Sequence, residues 1–174
     1  MEILGHMSQT IEVFRDFYQP DKKKSPFGIC DAVETALTFI MPLLSFPAIG
    51  LDCEVDRGLS AYGYHKEYAQ VLLNILGNAR NALMERNTAD PRIRIRAFAE
   101  RGKAVVTIND NACGIPELLL ENIFGLYVTT RKALGGTGIG LYMSKNIIEK
   151  NMGGTLFVGN VQGGAQFRIE IPLS

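Results

Sequence analysis

The sequence predicts an α+β fold, a two-layer sandwich in which a sheet carries its helices on one face. Three observations predict it. Helical and strand-like hydrophobic patterns follow one another without the strict alternation of a parallel β-α-β protein. Ile93, Ile95 and Ala97 alternate with Arg92, Arg94 and Arg96, the pattern of a strand with one buried face. Finally, 174 residues suffice for one good core and a short appendage.

Taken in order, residues 3–18 place Ile3, Met7, Ile11, Phe14 and Phe17 at helical spacing, and Pro20 ends that pattern. Asp21 to Pro26 is a charged linker, so the domain boundary is placed there, with residues 1–24 apart from residues 25–174. Residues 27–29 predict a short strand. Asp31 is an expected N-cap for a helix over 32–44, with Glu34 at its third position. Residues 51–55 read as a strand and 59–64 as a second short one. A long helix is expected over 66–85. Residues 92–99 form the strand with the basic outer face, 100–103 a hairpin turn and 104–108 a buried strand. A loop follows over 109–115, and then a short helix over 116–124. Residues 125–138 form a Gly- and Thr-rich loop, and 139–151 a helix ended by Gly153 and Gly154. Residues 156–158 and 166–171 make a closing hairpin.

Apolar residues make up 47% of the chain and charged residues 21%, as in an ordinary globular domain. Eighteen basic residues balance 18 acidic ones, so no overall field attracts nucleic acid or an anionic membrane. A phosphate ligand must therefore be held by local geometry. Cys30, Cys53 and Cys113 form no close pair, which fits a reducing compartment. The most apolar run, residues 36–51, is short for a membrane span and contains Pro42 and Pro47. No signal peptide is expected, and any membrane part would lie outside this chain.

The segment VLLNILGNARNAL, residues 71–83, carries the most information. Asn74, Asn78 and Asn81 stack on one side of the predicted helix, opposite Leu72, Ile75, Leu76, Ala79 and Leu83. Asn is a poor helix former, and a solvated face would ordinarily carry Glu, Lys or Arg. Amide oxygens can ligate a hard cation and amide nitrogens can donate to phosphate. On this helix alone a ligand wall and a chance polar face stand equal. Asp110, beside Gly114 in NDNACGI, is a carboxylate at a strand end that could accept the exocyclic amine of adenine and repel the guanine carbonyl. By itself the motif is also an ordinary turn. GGTGIGL, residues 135–141, opens a helix with glycines whose backbone N–H groups can converge on an anion. It is no Walker loop, because no Lys-Ser or Lys-Thr follows.

These motifs, in this order, resemble the ATP-binding catalytic domain of sensor histidine kinases. That family shares a superfamily (GHKL, the Bergerat fold) with gyrase, heat-shock chaperone and mismatch-repair ATPases. The resemblance covers residues 25–174 and implies a mixed, mostly antiparallel sheet. LNILGNARNAL matches the family's asparagine box, DNACGI its first glycine box, ENIFGLYVTTR its phenylalanine box and GGTGIGL its second glycine box. It implies ATP and Mg2+ as ligands, with Asn78 on the metal and Asn74 and Asn81 along the phosphates. Asp110 would hold the adenine amine, flanked by Gly114 and Ile115. Phe124 would anchor a lid over 131–135, with Thr130 and Arg131 at its start, and the lid is expected to be mobile without nucleotide. Gly136, Thr137, Gly138, Ile139, Gly140 and Leu141 would close over the phosphates. Ala112, Tyr127, Arg131 and Ala165 depart from the usual pattern, which lowers the expected affinity.

The hydrolytic members of the superfamily resemble one another in a Glu one turn before the metal-binding Asn, a general base for water. Here that place holds Asn74, with Asn78 next on the same face, so these two catalytic candidates point to transfer onto a protein group. The family's acceptor is a histidine on a dimerisation hairpin. Neither His6 nor His65 sits in the acceptor's usual setting. Residues 1–24 look like the second hairpin helix and its linker, so the chain is expected to be a catalytic fragment lacking the acceptor. Expected partners are ATP or ADP, the hairpin and, indirectly, a response-regulator receiver domain. Neither nucleic acid nor membrane contact by the fragment is expected, and the location is cytoplasmic. A serine kinase of the anti-sigma-factor type and a non-catalytic nucleotide-binding domain are the alternatives, with a gyrase-like ATPase behind them.

Overall fold

A computed structural model describes residues 23–45, 48–128 and 138–174. The helix expected over 3–18 lies outside these residues, as do His6 and the lid over 131–135. Strand β1 (Ser25–Gly28) leads directly into helix α1 (Ile29–Leu44). Next come β2 (Gly50–Val55), β3 (Ser60–Gly63), α2 (His65–Glu85), β4 (Arg92–Glu100) and β5 (Lys103–Asp110). A single helical turn, α3 (Glu117–Leu120), precedes α4 (Gly140–Asn146), which widens into a π-helical end over Ile147–Asn151. Strands β6 (Thr155–Val161) and β7 (Gly164–Pro172) close the fold.

The sheet has five strands in the order β2-β4-β5-β7-β6. Only β2 and β4 run parallel; the other neighbours are antiparallel. The mixed two-layer sandwich expected from the sequence is therefore present, with an additional two-stranded sheet of β1 and β3. Alternation sets the faces. Ile93, Ile95 and Ala97 of β4 are buried and join Ile108, Phe167, Ile169 and Leu156 in one core. Helices α1 and α2 complete it, through Ala36 and Ile40 on the first and Leu72, Ile75, Leu76 and Leu83 on the second. On the opposite face Arg94 pairs with Asp52 at 3.6 Å and Arg96 with Glu54 at 3.1 Å, both exposed. Arg168 and Lys103 both bond Glu170, holding that carboxyl below its ordinary range.

Several boundaries differ from expectation, most by a single residue; the strand expected over 27–29 is β1 at Ser25–Gly28, because Ile29 already opens α1. Helix α1 starts at Ile29, not at residue 32, and its N-cap is Gly28 without a side-chain bond. The first N–H is met instead by a tertiary acceptor, Leu59 O at 3.0 Å from Ile29 N, so Asp31 sits inside the first turn. Strand β5 continues two residues past 108, which makes Asp110 its last residue. The helix expected over 116–124 is one turn of four residues. The closing hairpin is longer at both strands and turns through Gln162 and Gly163, the latter at φ +83°. The glycine end of the helix after residue 139 holds: Gly153 has φ +65° and Gly154 N donates to Ile148 O at 2.9 Å.

Candidate functional site

A cavity of about 320 Å³ opens where the helix layer meets the end of β5. Asn78, Asn81, Asp110, Gly114, Ile115 and Leu141, all expected at one site, line it together. Helix α2 supplies the two asparagines because its opposite stripe, Leu72, Ile75, Leu76 and Leu83, is anchored in the core. Asn78 is exposed to the opening and Asn81 is half-buried.

Asp110 is half-buried at the sheet end. Its Oδ1 accepts the amides of Ala112 at 2.9 Å and Ala165 at 3.3 Å. Among the described residues no hydrogen bond reaches its Oδ2. Burial pushes the carboxyl pKa up, against the lowering effect of the two amides. The carboxylate is thus poorly solvated and has one oxygen available to a donor.

The loop after Asp110 is pinned from three sides. Asn160 on β6 grips Ile115 twice: its Oδ1 accepts Ile115 N at 2.7 Å and its Nδ2 donates to Ile115 O at 2.8 Å. Cys113 N donates to Gly163 O at 3.0 Å. Asn111 accepts Arg92 N at 2.8 Å and donates to Asp90 O at 3.0 Å. Two glycines make the close approach possible. A Cβ on Gly114, at φ +79°, would lie 2.7 Å from Asn160 Oδ1, and one on Gly164 would lie 1.7 Å from Asp110 O.

The remaining expected site residues are not all brought to the cavity. Asn74 is turned to α4: its Nδ2 reaches Ser144 Oγ at 3.3 Å and Gly140 O at 3.4 Å. Ser144 is fully buried and itself donates to Gly140 O at 2.8 Å. Asn74 therefore fixes the start of α4 rather than lining the cavity. Gly140 lies against that amide, its added Cβ 3.7 Å from Asn74 Cγ. Phe124 packs on the core under Lys145 Nζ, 4.7 Å from the ring centroid, and is not part of the cavity wall. Gly138, at φ +65°, accepts Tyr127 N at 3.0 Å and so joins the two flanks of residues 129–137. Ile139 precedes α4 as its N-cap and is partly exposed. Thr130, Arg131, Gly136 and Thr137 lie outside the described residues.

Sequence reasoning missed Asn160, Gly164, Glu85, Arg86 and Phe167, the last three of which also line the cavity. Asn160 had a signal: it shares strand parity with Leu156 and Val158, so a polar residue falls on the inward face. His65, taken as a surface or helix-start residue, is the first residue of α2, its ring against Phe27 and its buried Nε2 without a hydrogen-bond partner among the described residues.

Among the described residues no group of three His, Cys, Asp or Glu side chains is placed to hold a metal. Mg2+ bound with a nucleotide keeps several waters and takes a protein oxygen beside the phosphates. Asn78 can supply that oxygen. No helix among the described residues is long and apolar enough to cross a membrane.

A sequence profile described as "Histidine kinase-, DNA gyrase B-, and HSP90-like ATPase" matches residues 63–174. The chain is 36% identical over 153 residues to the two-component sensor PprA of Pseudomonas aeruginosa, covering 86% of this chain and 16% of that protein. It is 36% identical over 175 residues to the signal transduction histidine-protein kinase AtoS of Escherichia coli, covering 98% of this chain and 28% of that protein. The chain thus spans less than a third of these two relatives. The solved catalytic domain of histidine kinase ThkA superposes with a TM-score of 0.76 at 26% identity, covering 86% of this chain and 95% of that one.

Proposed function

The chain belongs to the family of histidine kinase-, DNA gyrase B- and HSP90-like ATPases, and from that membership we propose that it binds Mg-ATP and donates the γ-phosphoryl group to a histidine on a dimerisation hairpin. One observation carries this reading: a poorly solvated carboxylate, Asp110, shares one cavity with the amides of Asn78 and Asn81, and the helix bears no carboxylate one turn before Asn78.

Asp110 receives the exocyclic amine of adenine on its open oxygen and disfavours guanine, whose carbonyl it would repel. Gly114 and Ile115, held by Asn160, form the wall beside the base. Asn78 offers its amide oxygen to the metal, and Asn81 donates toward the phosphates. Bound Mg2+ supplies charge neutralisation for the transferring phosphoryl group. Asn74 has no proton-accepting carboxylate and already holds α4, so water in the site lacks a general base. The phosphoryl group is thereby kept for an incoming protein nucleophile. Thr130, Arg131, Gly136, Thr137, Gly138, Ile139 and Gly140 belong to the segments that close over the phosphates, and Phe124 anchors them. Residues 1–24 form the tail of a hairpin helix and its linker, and the domain works in the cytoplasm. The phosphoryl group passes from the hairpin to a receiver domain, as the two-component relatives suggest.

The test is phosphotransfer from γ-labelled ATP to a helical hairpin carrying an acceptor histidine, supplied in trans. The expected result is acid-labile label on the hairpin with slow release of free phosphate. Rapid phosphate release without label would identify a hydrolase. Acid-stable label on a serine substrate would favour the anti-sigma-factor type of kinase.

A further inference from the structure

One face of α2 forms a whole wall of the cavity. Asn78, Ala79, Asn81, Ala82, Glu85 and Arg86 line it at the spacing of a single helical face. The two ends of this wall meet different elements. Near its first end Asn74 holds the start of α4, donating to Gly140 O at 3.4 Å. Just past its other end Asp90 O accepts Asn111 Nδ2 at 3.0 Å, and Asn111 directly follows Asp110. Arg86 lies two turns beyond Asn78, about 12 Å along the helix axis. The wall therefore runs from the asparagine proposed for the metal to the end tied to the Asp110 loop, and Arg86 stands at that second end.

Arg86 closes α2 with helical backbone angles, φ −84° and ψ −7°. A helical side chain leans back over the preceding turn, here over Ala82, whose methyl group fills little of the wall. Arg86 is exposed at the cavity mouth, and among the described residues its guanidinium has neither a hydrogen bond nor an ion pair. Arg80 on the same helix is different: its Nε donates to Leu43 O at 2.8 Å.

We infer that Arg86 stacks its guanidinium on the face of the adenine ring whose amine Asp110 accepts, an inference that rests on the Mg-ATP reading above. A flat base held by its edge at Asp110 turns one face to the loop side and the other to α2. The loop side is apolar and bulky, with Ile115, Leu119 and Ile123. The α2 side offers the methyl groups of Ala79 and Ala82, so that face of the base is left open. A guanidinium plane suits it, because a cation is attracted to the electron-rich face of a ring and Arg stacks flat on bases. Glu85 has the wrong sign of charge for that place. The phosphates lie at the Asn78 end, too far along the helix for Arg86 to serve them.

The test is calorimetry of the whole chain with AMP, ADP and ATP, comparing the native chain with Arg86→Ala, Arg86→Lys and Arg86→Tyr. Thermal scans without nucleotide check that each variant is folded. Arg86→Ala should weaken binding about two- to fivefold, by the same factor for all three nucleotides. Arg86→Lys, which keeps the charge and loses the plane, should recover little of this. Arg86→Tyr, which keeps a plane without the charge, should recover most of it. Unchanged affinity in Arg86→Ala overturns the inference. So does a loss that grows from AMP to ATP and is repaired by Arg86→Lys, which would put the guanidinium on the phosphates. If Asp110→Asn weakens binding and Arg86→Ala does not, the stacking falls while the nucleotide reading stands. A native chain that binds no adenine nucleotide overturns both.

Discussion

At the scale of single residues, Asp110 shows a site working against its own protein's stability. Burial raises its pKa above the ordinary 3.8, so the folded state binds a proton more tightly than the unfolded chain does. Stability is then greatest with the carboxyl protonated and falls as pH rises from 3.8 through the raised folded value. Asp110→Asn keeps an Oδ1 for the amides of Ala112 and Ala165 and removes the buried charge. The variant should unfold at a higher temperature than the native chain at neutral pH. Its advantage should shrink on acidification and vanish below 3.8, which thermal scans at several pH values would measure. The same variant should bind ATP more weakly, since a hydrogen bond to a charged group contributes about 1.5–3 kcal/mol, about 10- to 150-fold in Kd. Unchanged binding in calorimetry would remove Asp110 from the adenine site. The carboxylate was legible in the sequence as a strand-end acid. The pin behind it, Asn160, was legible only in its parity with Leu156 and Val158; Gly159 interrupts the strand pattern just before it, and the expected strand stopped at residue 158.

At the scale of elements, agreement between sequence and structure follows where the stabilising partner lies. Helix α2 and strand β4 were legible because their own apolar periodicity decides which face is buried. The start of α1 was not, because its first N–H is satisfied by Leu59, 30 residues along the chain, and no local cap is needed. The π-helical end of α4 was equally hidden. Asn151 there donates to Glu67 Oε2 at 2.9 Å, a bond to the first turn of α2 that no local pattern announces. Helix α2 also contains a residue that weakens it. Gly77 lies in its interior, and a Cβ there would meet nothing within 4 Å. Gly in a helix interior costs roughly 0.5–1 kcal/mol relative to Ala. Gly77→Ala should therefore raise the melting temperature by about 1–4 °C, given the usual conversion for a chain of this size. Gly77 is absent from the cavity wall, so ATP affinity should not change. A lower melting temperature would mean that the glycine admits a close neighbour from residues outside those described.

At the scale of the whole molecule, the net charge is zero, so no long-range field gathers an anionic ligand and the cavity itself must select it. The cavity joins elements that are distant in sequence: Asn78 on α2, Asp110 on β5, Leu141 on α4 and Phe167 on β7. A ligand held by all four favours the folded chain as a unit, since unfolding any of them releases it. Mass action gives the size of the effect. A ligand at 100 times its Kd adds about 2.7 kcal/mol to the folded state. For a chain of this length each kcal/mol moves the melting temperature by about 2–4 °C, so ATP with Mg2+ should raise it by about 5–11 °C. If Asp110 reads the base as proposed, GTP at the same concentration should leave it nearly unchanged, because the carboxylate would meet the guanine carbonyl where adenine offers a donor. Thermal scans with each nucleotide, with and without Mg2+, separate the contributions. A shift with ATP that survives removal of Mg2+ in full would take the metal away from Asn78. Equal shifts with ATP and GTP would show that the phosphates alone are recognised and that the carboxylate at the end of β5 does not read the base.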